Sequence, residues 1–427
     1  MRGRKRGNSL AVLLSVQEAQ KRILAFFQKT TPEVTPVDQS AGRVLAEDLY
    51  APADLPPFDN SSMDGFAVRA EDVQTASADK PVVLRVVADI PAGSTAQVEI
   101  HAGQAARIMT GAPVPALADT IVPVEETNFG QNLDSEQAYP SKPEEVVIYQ
   151  GSQPGAYIRK RGTDIKQGEA LMQRGRLIQP QDAGLIASIG KAEVQVYRRP
   201  KVALFSSGDE LVQPGQPLGP GQIYDSNQYV LAALLEREGA QVIRLGTAPD
   251  DPQQIVRLLD LAVASQVDLI LTSAGVSVGA YDYIRTIIES RGSLDFWRVN
   301  MRPGKPLAFG SYAGIPLIGL PGNPVSAYVG CLIFVLPAIR LLAGQAHTTP
   351  IWETAILGET IESDGRESYL RAIVREENGQ VIARMAGHQG SGNIFSLVLA
   401  NALLIVPSGV KSLPVESRVN IWYFNKI

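Results

Sequence analysis

The residues best suited to chemistry fall in a series of glycine- and serine-rich segments: Ser206-Ser207-Gly208-Asp209-Glu210, Gln222-Ile223-Tyr224-Asp225-Ser226-Asn227, Ser273-Ala274-Gly275-Val276-Ser277-Val278-Gly279-Ala280-Tyr281-Asp282, Arg302-Pro303-Gly304-Lys305-Pro306 and Pro321-Gly322-Asn323-Pro324. A Gly/Ser turn that opens a helix aims unpaired backbone N–H groups and the positive end of the helix dipole at an anion. Arg302 and Lys305 add full positive charges, whereas Glu210, Asp225 and Asp282 add negative ones. Taken singly, each segment has a plainer use. Glycines make tight turns, Asp225 and Asp282 can cap helices, and Pro-Gly-Asn-Pro is a turn by itself. Chemistry is favoured because the segments fall on one edge of one sheet.

Two further segments lie upstream. Pro56-Pro57-Phe58-Asp59-Asn60-Ser61-Ser62-Met63-Asp64-Gly65-Phe66-Ala67-Val68 reads as an irregular, extended loop. Arg107-Ile108-Met109-Thr110-Gly111-Ala112-Pro113-Val114-Pro115 reads as a strand ending in a Thr-Gly turn. On composition alone each could equally be a turn-rich connection.

The elements that must carry these loops follow from periodicity. A possible capping box, Ser15-Val16-Gln17-Glu18, opens an amphipathic helix reaching about residue 27. From 31 to 199, short β-branched runs (82–87, 146–148, 193–197) between Pro, Gly, Asp and Asn clusters predict a mostly β region, with a polar surface excursion at 128–145. After Pro200, apolar strands at 201–206, 241–246, 267–272, 294–299 and 316–320 alternate with helices at 227–238, 252–265, 281–291 and 324–342. That alternation predicts a doubly wound, parallel, three-layer α/β domain, with ligands bound beyond the carboxyl ends of its strands. From 348 onward strands return without helices (354–357, 369–375, 380–386, 402–406, 419–422), which predicts a small C-terminal β domain.

Composition removes several classes of function. A chain of 427 residues with 45% hydrophobic and 19% charged residues is globular rather than disordered. With 39 Lys and Arg against 44 Asp and Glu, the net charge of −5 argues against a nucleic-acid or membrane-surface binder. The lone cysteine, Cys331, cannot form an internal disulfide, which fits a reducing cytoplasm. With His101, His347 and His388 it cannot build a Cys/His zinc site, and within the apolar run 325–336 it reads as core rather than nucleophile. The basic start, MRGRKRG, is followed by an apolar stretch too short for a secretory signal and reads as a tail. The run 325–342 approaches spanning length, but with Pro337 and Arg340 inside it a buried crossover helix is expected, and no membrane anchor.

Taken together and in this order, the Pro-Pro-Phe-Asp-Asn-Ser-Ser-Met-Asp-Gly-Phe-Ala-Val run, Ile-Met-Thr-Gly-Ala-Pro-Val-Pro, Ser-Ser-Gly-Asp-Glu-Leu, Ile-Tyr-Asp-Ser-Asn, Ala-Gly-Val-Ser-Val-Gly, Arg-Pro-Gly-Lys-Pro and Leu-Pro-Gly-Asn-Pro-Val-Ser resemble the molybdopterin molybdenumtransferases, to which the gephyrin E-domain is related. The resemblance covers about residue 10 to the C-terminus. It implies a cytoplasmic, elongated homodimer with four domains per chain: a helix with a linker and dimerisation domain over 10–55 and 158–200, an inserted β-rich domain over 56–157, a molybdopterin-binding-type α/β domain over 201–347 and a β domain over 348–427. It also implies a reaction in which adenylylated molybdopterin and molybdate give molybdenum cofactor and AMP with Mg²⁺, and contact with other enzymes of the same biosynthesis. Carried over by motif, catalytic residues fall on Asp64, Thr110, Glu210, Asp225 and Asp282, with Asp164 beside them and the metal on Glu210, Asp225 and Asp282. Substrate- and molybdate-binding positions fall on Ser277, Gly279, Arg302, Lys305, Ser326, Arg371 and Ser391. Because Asp64 lies in another domain, it is expected to reach a site on the partner subunit. Ala274 stands where the family has glycine, and Ser207 where it has threonine. The resemblance leaves two alternatives, adenylylation of molybdopterin and a non-catalytic dimeric scaffold.

Overall fold

The computed structural model describes residues 13–130, 143–274 and 278–424, and for Ala274, 278–282 and Arg285 only the backbone. The basic tail, most of the 128–145 excursion, Ser277 and the side chain of Asp282 therefore lie outside the described residues. The chain folds as two compact units: one takes the described parts of Met1–Glu47, Arg174–Gly184 and Ala192–Ile427, the other Asp48–Gln173 and Leu185–Lys191.

The larger unit is built on a six-stranded sheet in the order Gln241–Ala248, Lys201–Ser207, Leu269–Ala274, Ile315–Leu320, Pro306–Tyr312, Gly292–Arg298. The first four strands are parallel, and the last two pair antiparallel. This differs from the wholly parallel sheet expected, because Pro306–Tyr312 forms a strand where the pattern of alternation predicts none. Ala313 and Gly314, both with positive φ (48° and 83°), close the tight hairpin that joins it to Ile315–Leu320. Two reversals restore the direction, so the connection carrying Arg302 and Lys305 still leaves the sheet at its carboxyl edge.

Helices cover both faces. Val16–Leu24, Asn227–Arg237 and the run 324–342 pack on one side with Leu204, Leu271 and Ile318. Pro252–Ala264 and Val278–Arg291 pack on the other with Ala203, Phe205 and Ile270. Ser15 caps the first helix, accepting from the Glu18 N–H at 3.1 Å, while the Glu18 side chain turns to Arg22. Asp251 caps the helix at Pro252, accepting from the Gln253 N–H at 2.9 Å. The run Pro324–Leu342 is long and apolar enough to cross a membrane, yet its most apolar window is 89% buried in protein. It widens to a π-helix over Cys331–Val335, just before Pro337, whose missing N–H breaks the ordinary ladder. Cys331 is fully buried, and burial pushes its thiol well above its usual range.

The C-terminal strands Glu367–Glu377, Gln380–Met385, Glu353–Leu357, Arg418–Tyr423 and Ala402–Val406 pair in turn, and the last pairs back to the first. The result is a closed barrel with no free edge. It carries one short helix, Phe395–Leu399, that was not expected. Met301–Arg302 adds to it as a short parallel strand beside Glu367 and Ser368. The smaller unit holds a five-stranded sheet in the order Thr120–Pro123, Gly65–Val68, Gln104–Ile108, Val82–Ile90, Glu145–Ile148.

Candidate functional site

At the carboxyl edge of the larger sheet lies a hollow of about 440 Å³, whose walls include Glu210, Asp225, Asn227, Ser273, Asn323 and Gly392. The loops after Lys201–Ser207 and Ile315–Leu320, the segment 223–227 and the end of Leu269–Ala274 meet there, whereas the loop of Arg302 and Lys305 does not reach the wall. In the parallel two-stranded ribbon of Leu211–Val212 with Ile223–Tyr224, Glu210 precedes the first pair and Asp225 follows the last, so the two carboxylates flank its opposite ends. The Ile223 N–H donates to the Glu210 carbonyl at 2.8 Å and the Asp225 N–H to the Val212 carbonyl at 2.9 Å.

The two acids differ in surroundings. Asp225 is buried; its Oδ1 accepts from the Gln228 N–H at 3.3 Å, and its Oδ2 from Gln228 Nε2 at 2.8 Å and Thr247 Oγ1 at 3.0 Å. Glu210 is half-buried, with no hydrogen bond to its carboxylate among the described residues, and it folds over Gly208. A Cβ at Gly208, where φ is +150°, would lie 2.6 Å from Glu210 Oε2, so only glycine admits this placement.

A third carboxylate, Asp250, was missed by the sequence reading. It follows the strand Gln241–Ala248 at the same carboxyl edge, and that position was the available signal. Its N–H donates to Asp209 Oδ1 at 3.0 Å, while its own Oδ1 is buried with no partner among the described residues. Burial, then the charges of Asp209 and Glu210, push its carboxyl above the usual carboxylate range.

The basic residues form a separate group at the junction with the barrel. Arg302 is exposed, lies 3.9 Å from Asp364, and is close enough to depress Arg371. Lys305 is exposed and its carbonyl accepts from the Val299 N–H at 3.0 Å. Neither side chain is part of the wall of the hollow. Gly304 ties their loop to the helix Pro324–Gly330: a Cβ there would sit 3.6 Å from the carbonyl oxygen of the buried Ser326.

Arg371 is buried, donating to Ser396 Oγ at 3.0 Å and to the carbonyls of His388 and Gly390 at 3.2 and 3.0 Å. Its guanidinium thus braces the loop carrying Ser391. Ser391 Oγ accepts from Asn323 Nδ2 at 3.0 Å, and its carbonyl from the Val325 N–H at 3.0 Å.

In the smaller unit, Asp64 Oδ1 accepts from both the backbone N–H and the hydroxyl of Thr110 at 2.7 Å, so two residues named by the resemblance form one pair. Asp164 instead pairs with Arg159. Gly279 belongs to the helix Val278–Arg291, which also carries Asp282.

The fold and site define a multidomain protein with acidic and basic groups at the edge of a three-layer module, and the similarities agree. Residues 14–190 match the MoeA N-terminal region (domain I and II), 203–341 a probable molybdopterin binding domain, and 354–424 the MoeA C-terminal region (domain IV). A molybdopterin molybdenumtransferase 2 of Mycobacterium tuberculosis is 40% identical over 96% of this chain and 99% of its own. A molybdopterin molybdenumtransferase of Nostoc is 38% identical over 88% of this chain and 85% of its own. The crystal structure of a molybdopterin biosynthesis MoeA protein from Pyrococcus horikosii superposes with a TM-score of 0.78 at 31% identity, covering 97% of this chain and all (100%) of that one. The chain belongs to the molybdopterin molybdenumtransferases, a family of transferases.

Proposed function

We propose that the protein inserts molybdenum from molybdate into adenylylated molybdopterin, releasing AMP and forming molybdenum cofactor, in a Mg²⁺-dependent reaction. The observation that carries this reading is the shared hollow, whose wall includes both Glu210 and Asp225 beside Asn227, Ser273 and Asn323. An oxygen of molybdate attacks the adenylyl phosphorus and the P–O bond to the pterin phosphate breaks; the Mo–O bond of the resulting adenylyl molybdate then breaks as molybdenum passes to the two sulfurs of the pterin, and AMP leaves keeping that oxygen.

Among the described residues no three His, Cys, Asp or Glu side chains form a ready-made metal cage. Mg²⁺ needs only one or two carboxylates, with substrate oxygens and water completing its shell. Glu210 and Asp250 suit it, since the orphaned Asp250 Oδ1 and the crowding of Asp209, Glu210 and Asp250 are both relieved by a cation. Asp225, assigned to the metal from sequence, spends its oxygens on Gln228 and Thr247 and is assigned here to shaping the wall. When bound, the ion screens the substrate phosphates and stabilises charge on the leaving oxygens. The chain's own residues orient the substrate: Asn323 lines the hollow and is held by its hydrogen bond to Ser391, and Arg302 and Lys305 provide positive charge for the oxyanion. The protein acts in the cytoplasm as a homodimer, with partner enzymes supplying and removing the pterin, and with Asp64 and Thr110 serving the partner subunit.

The test is AMP release from adenylylated molybdopterin and molybdate, followed by reconstitution of a molybdenum apoenzyme. Wild type should release AMP in step with cofactor, and Glu210→Gln should not. Consumption of ATP with molybdopterin would overturn the reading in favour of adenylylation. A fully active monomer would overturn the shared-dimer part, as would failure of mixed Asp64→Ala and Glu210→Ala chains to recover activity.

A further inference from the structure

The wall of the hollow is divided in its chemistry. Glu210, Asp225, Asn227, Ser273 and Asn323 make part of it polar, while Leu211, Ile223 and Tyr224 make another part apolar. The apolar part is the two-stranded ribbon, in which Leu211 lies opposite Ile223 and Val212 opposite Tyr224. The ribbon leaves its large side chains open to ligand: Ile223 is 56% exposed and Tyr224 45%. The Tyr224 hydroxyl donates to the Gln216 carbonyl at 3.1 Å, within the turn that joins the two strands of the ribbon. The polar end of the side chain is therefore already served and held in place, and the aromatic ring is what remains for a ligand. Large apolar side chains left uncovered in a cavity wall mark a place where apolar ligand surface is received.

We infer that Tyr224 binds substrate by stacking its ring on a flat nitrogen heterocycle, with Ile223 and Leu211 packing beside it. The inference rests on the reading that this hollow takes adenylylated molybdopterin. Molybdate, phosphate and ribose are polar throughout and gain nothing from an apolar wall, so they leave this part of the hollow unexplained. The pterin and the adenine each offer a π-face of the required kind. Stacking between such a ring and an aromatic side chain tolerates differences in ring substituents, because it uses the face and not the edge. Tyr224 is thus a binding residue for the heterocycle, and the carboxylates that flank the ribbon belong to the polar part of the site.

The test titrates wild-type, Tyr224→Phe and Tyr224→Leu proteins with 6-hydroxymethylpterin, followed by pterin fluorescence. AMP and ribose 5-phosphate are titrated by calorimetry, with thermal melts as the check on folding. Tyr224→Leu, which keeps an apolar side chain but no ring, should bind the recognised heterocycle about tenfold more weakly than wild type. Tyr224→Phe keeps the ring and gives up only the bond to Gln216, and should bind as wild type does. A loss in the pterin titration, with wild type quenching the pterin emission, assigns the stacked ring to the pterin. A loss for AMP that is absent for ribose 5-phosphate assigns it to adenine. Tyr224→Leu binding both heterocycles as tightly as wild type overturns the inference alone. So does an equal loss in Tyr224→Phe, which would trace the effect to the anchoring of the ribbon, or an equal loss for ribose 5-phosphate. Wild type that binds neither the pterin nor AMP overturns the substrate reading and this inference with it. If Tyr224→Leu does not fold, wild type decides: AMP bound no tighter than ribose 5-phosphate, together with unquenched pterin, overturns the inference.

Discussion

Replacing Arg371 with Met keeps most of its volume and removes every donor. Arg371 heads the large side chains that are fully buried. Burial first, then the charge of Arg302, push its guanidinium down to about 10, so it remains a cation at neutral pH. The substitution strands Ser396 Oγ and the carbonyls of His388 and Gly390. At about 1 kcal/mol net for each bond, less a part recovered by no longer burying a charge, the barrel should lose about 2–3 kcal/mol. The loop released carries Ser391 and Gly392, so activity should fall beyond what lost stability explains. Urea unfolding followed by Trp422 fluorescence measures the first quantity, and AMP release at saturating substrate the second. Arg371→Lys keeps the charge but cannot span three acceptors, and should restore little. Full rescue by lysine would refute the bracing argument. So would a Met variant as stable as wild type that fails to bind molybdate, which would make Arg371 the direct anion ligand that the family resemblance implied.

Gly208→Ala should displace the Glu210 carboxylate, destabilise the protein by about 1 kcal/mol or more, and abolish AMP release, as turnover and thermal melting would show. Thr110→Val removes one of the two donors to Asp64 while sparing the backbone bond, and should cost about 1 kcal/mol in stability with a partial loss of activity, whereas Asp64→Ala should lose activity wholly. Asp182 is held below its ordinary value of 3.8 by Arg176 above all, so its stabilising contribution is complete above that value and is lost as pH falls through the lower folded one. Asp182→Asn should therefore weaken the protein at neutral pH and flatten its acid-unfolding curve at the low end. Chelation of divalent ions should stop AMP release and lower the melting temperature of wild type, and Asp250→Asn should melt at the same temperature with or without Mg²⁺.

Local patterns carried much of the architecture because their causes are local. Asp251-Pro252 starts a helix through a side-chain cap and a fixed φ, and the apolar runs 201–206 and 402–406 can only be buried strands. The Gly/Ser loops were placed on one sheet edge by alternation alone, and Glu210 and Asp225 do share a hollow there. Asp64 and Thr110, far apart in sequence and both named by the resemblance, are hydrogen-bonded.

Only the tertiary structure decided the rest, because it turns on which distant partner satisfies each polar group. A Pro-Gly-Lys-Pro loop gives no local sign that the strand after it will form a hairpin and add a reversed pair to the sheet. Arg371, which the resemblance names as an anion-binding position, is enclosed by the barrel and turns its donors onto carbonyls from a later loop. Asp250 becomes distinctive only where burial and two neighbouring carboxylates meet. Asn227 is an ordinary helix-start residue in the chain, yet Ser273 and Gly322, remote in sequence, accept from its amide nitrogen and fix the side chain in the wall. Backbone pattern is set by neighbours in the chain, whereas charge, burial and hydrogen-bond vacancy are set by neighbours in space.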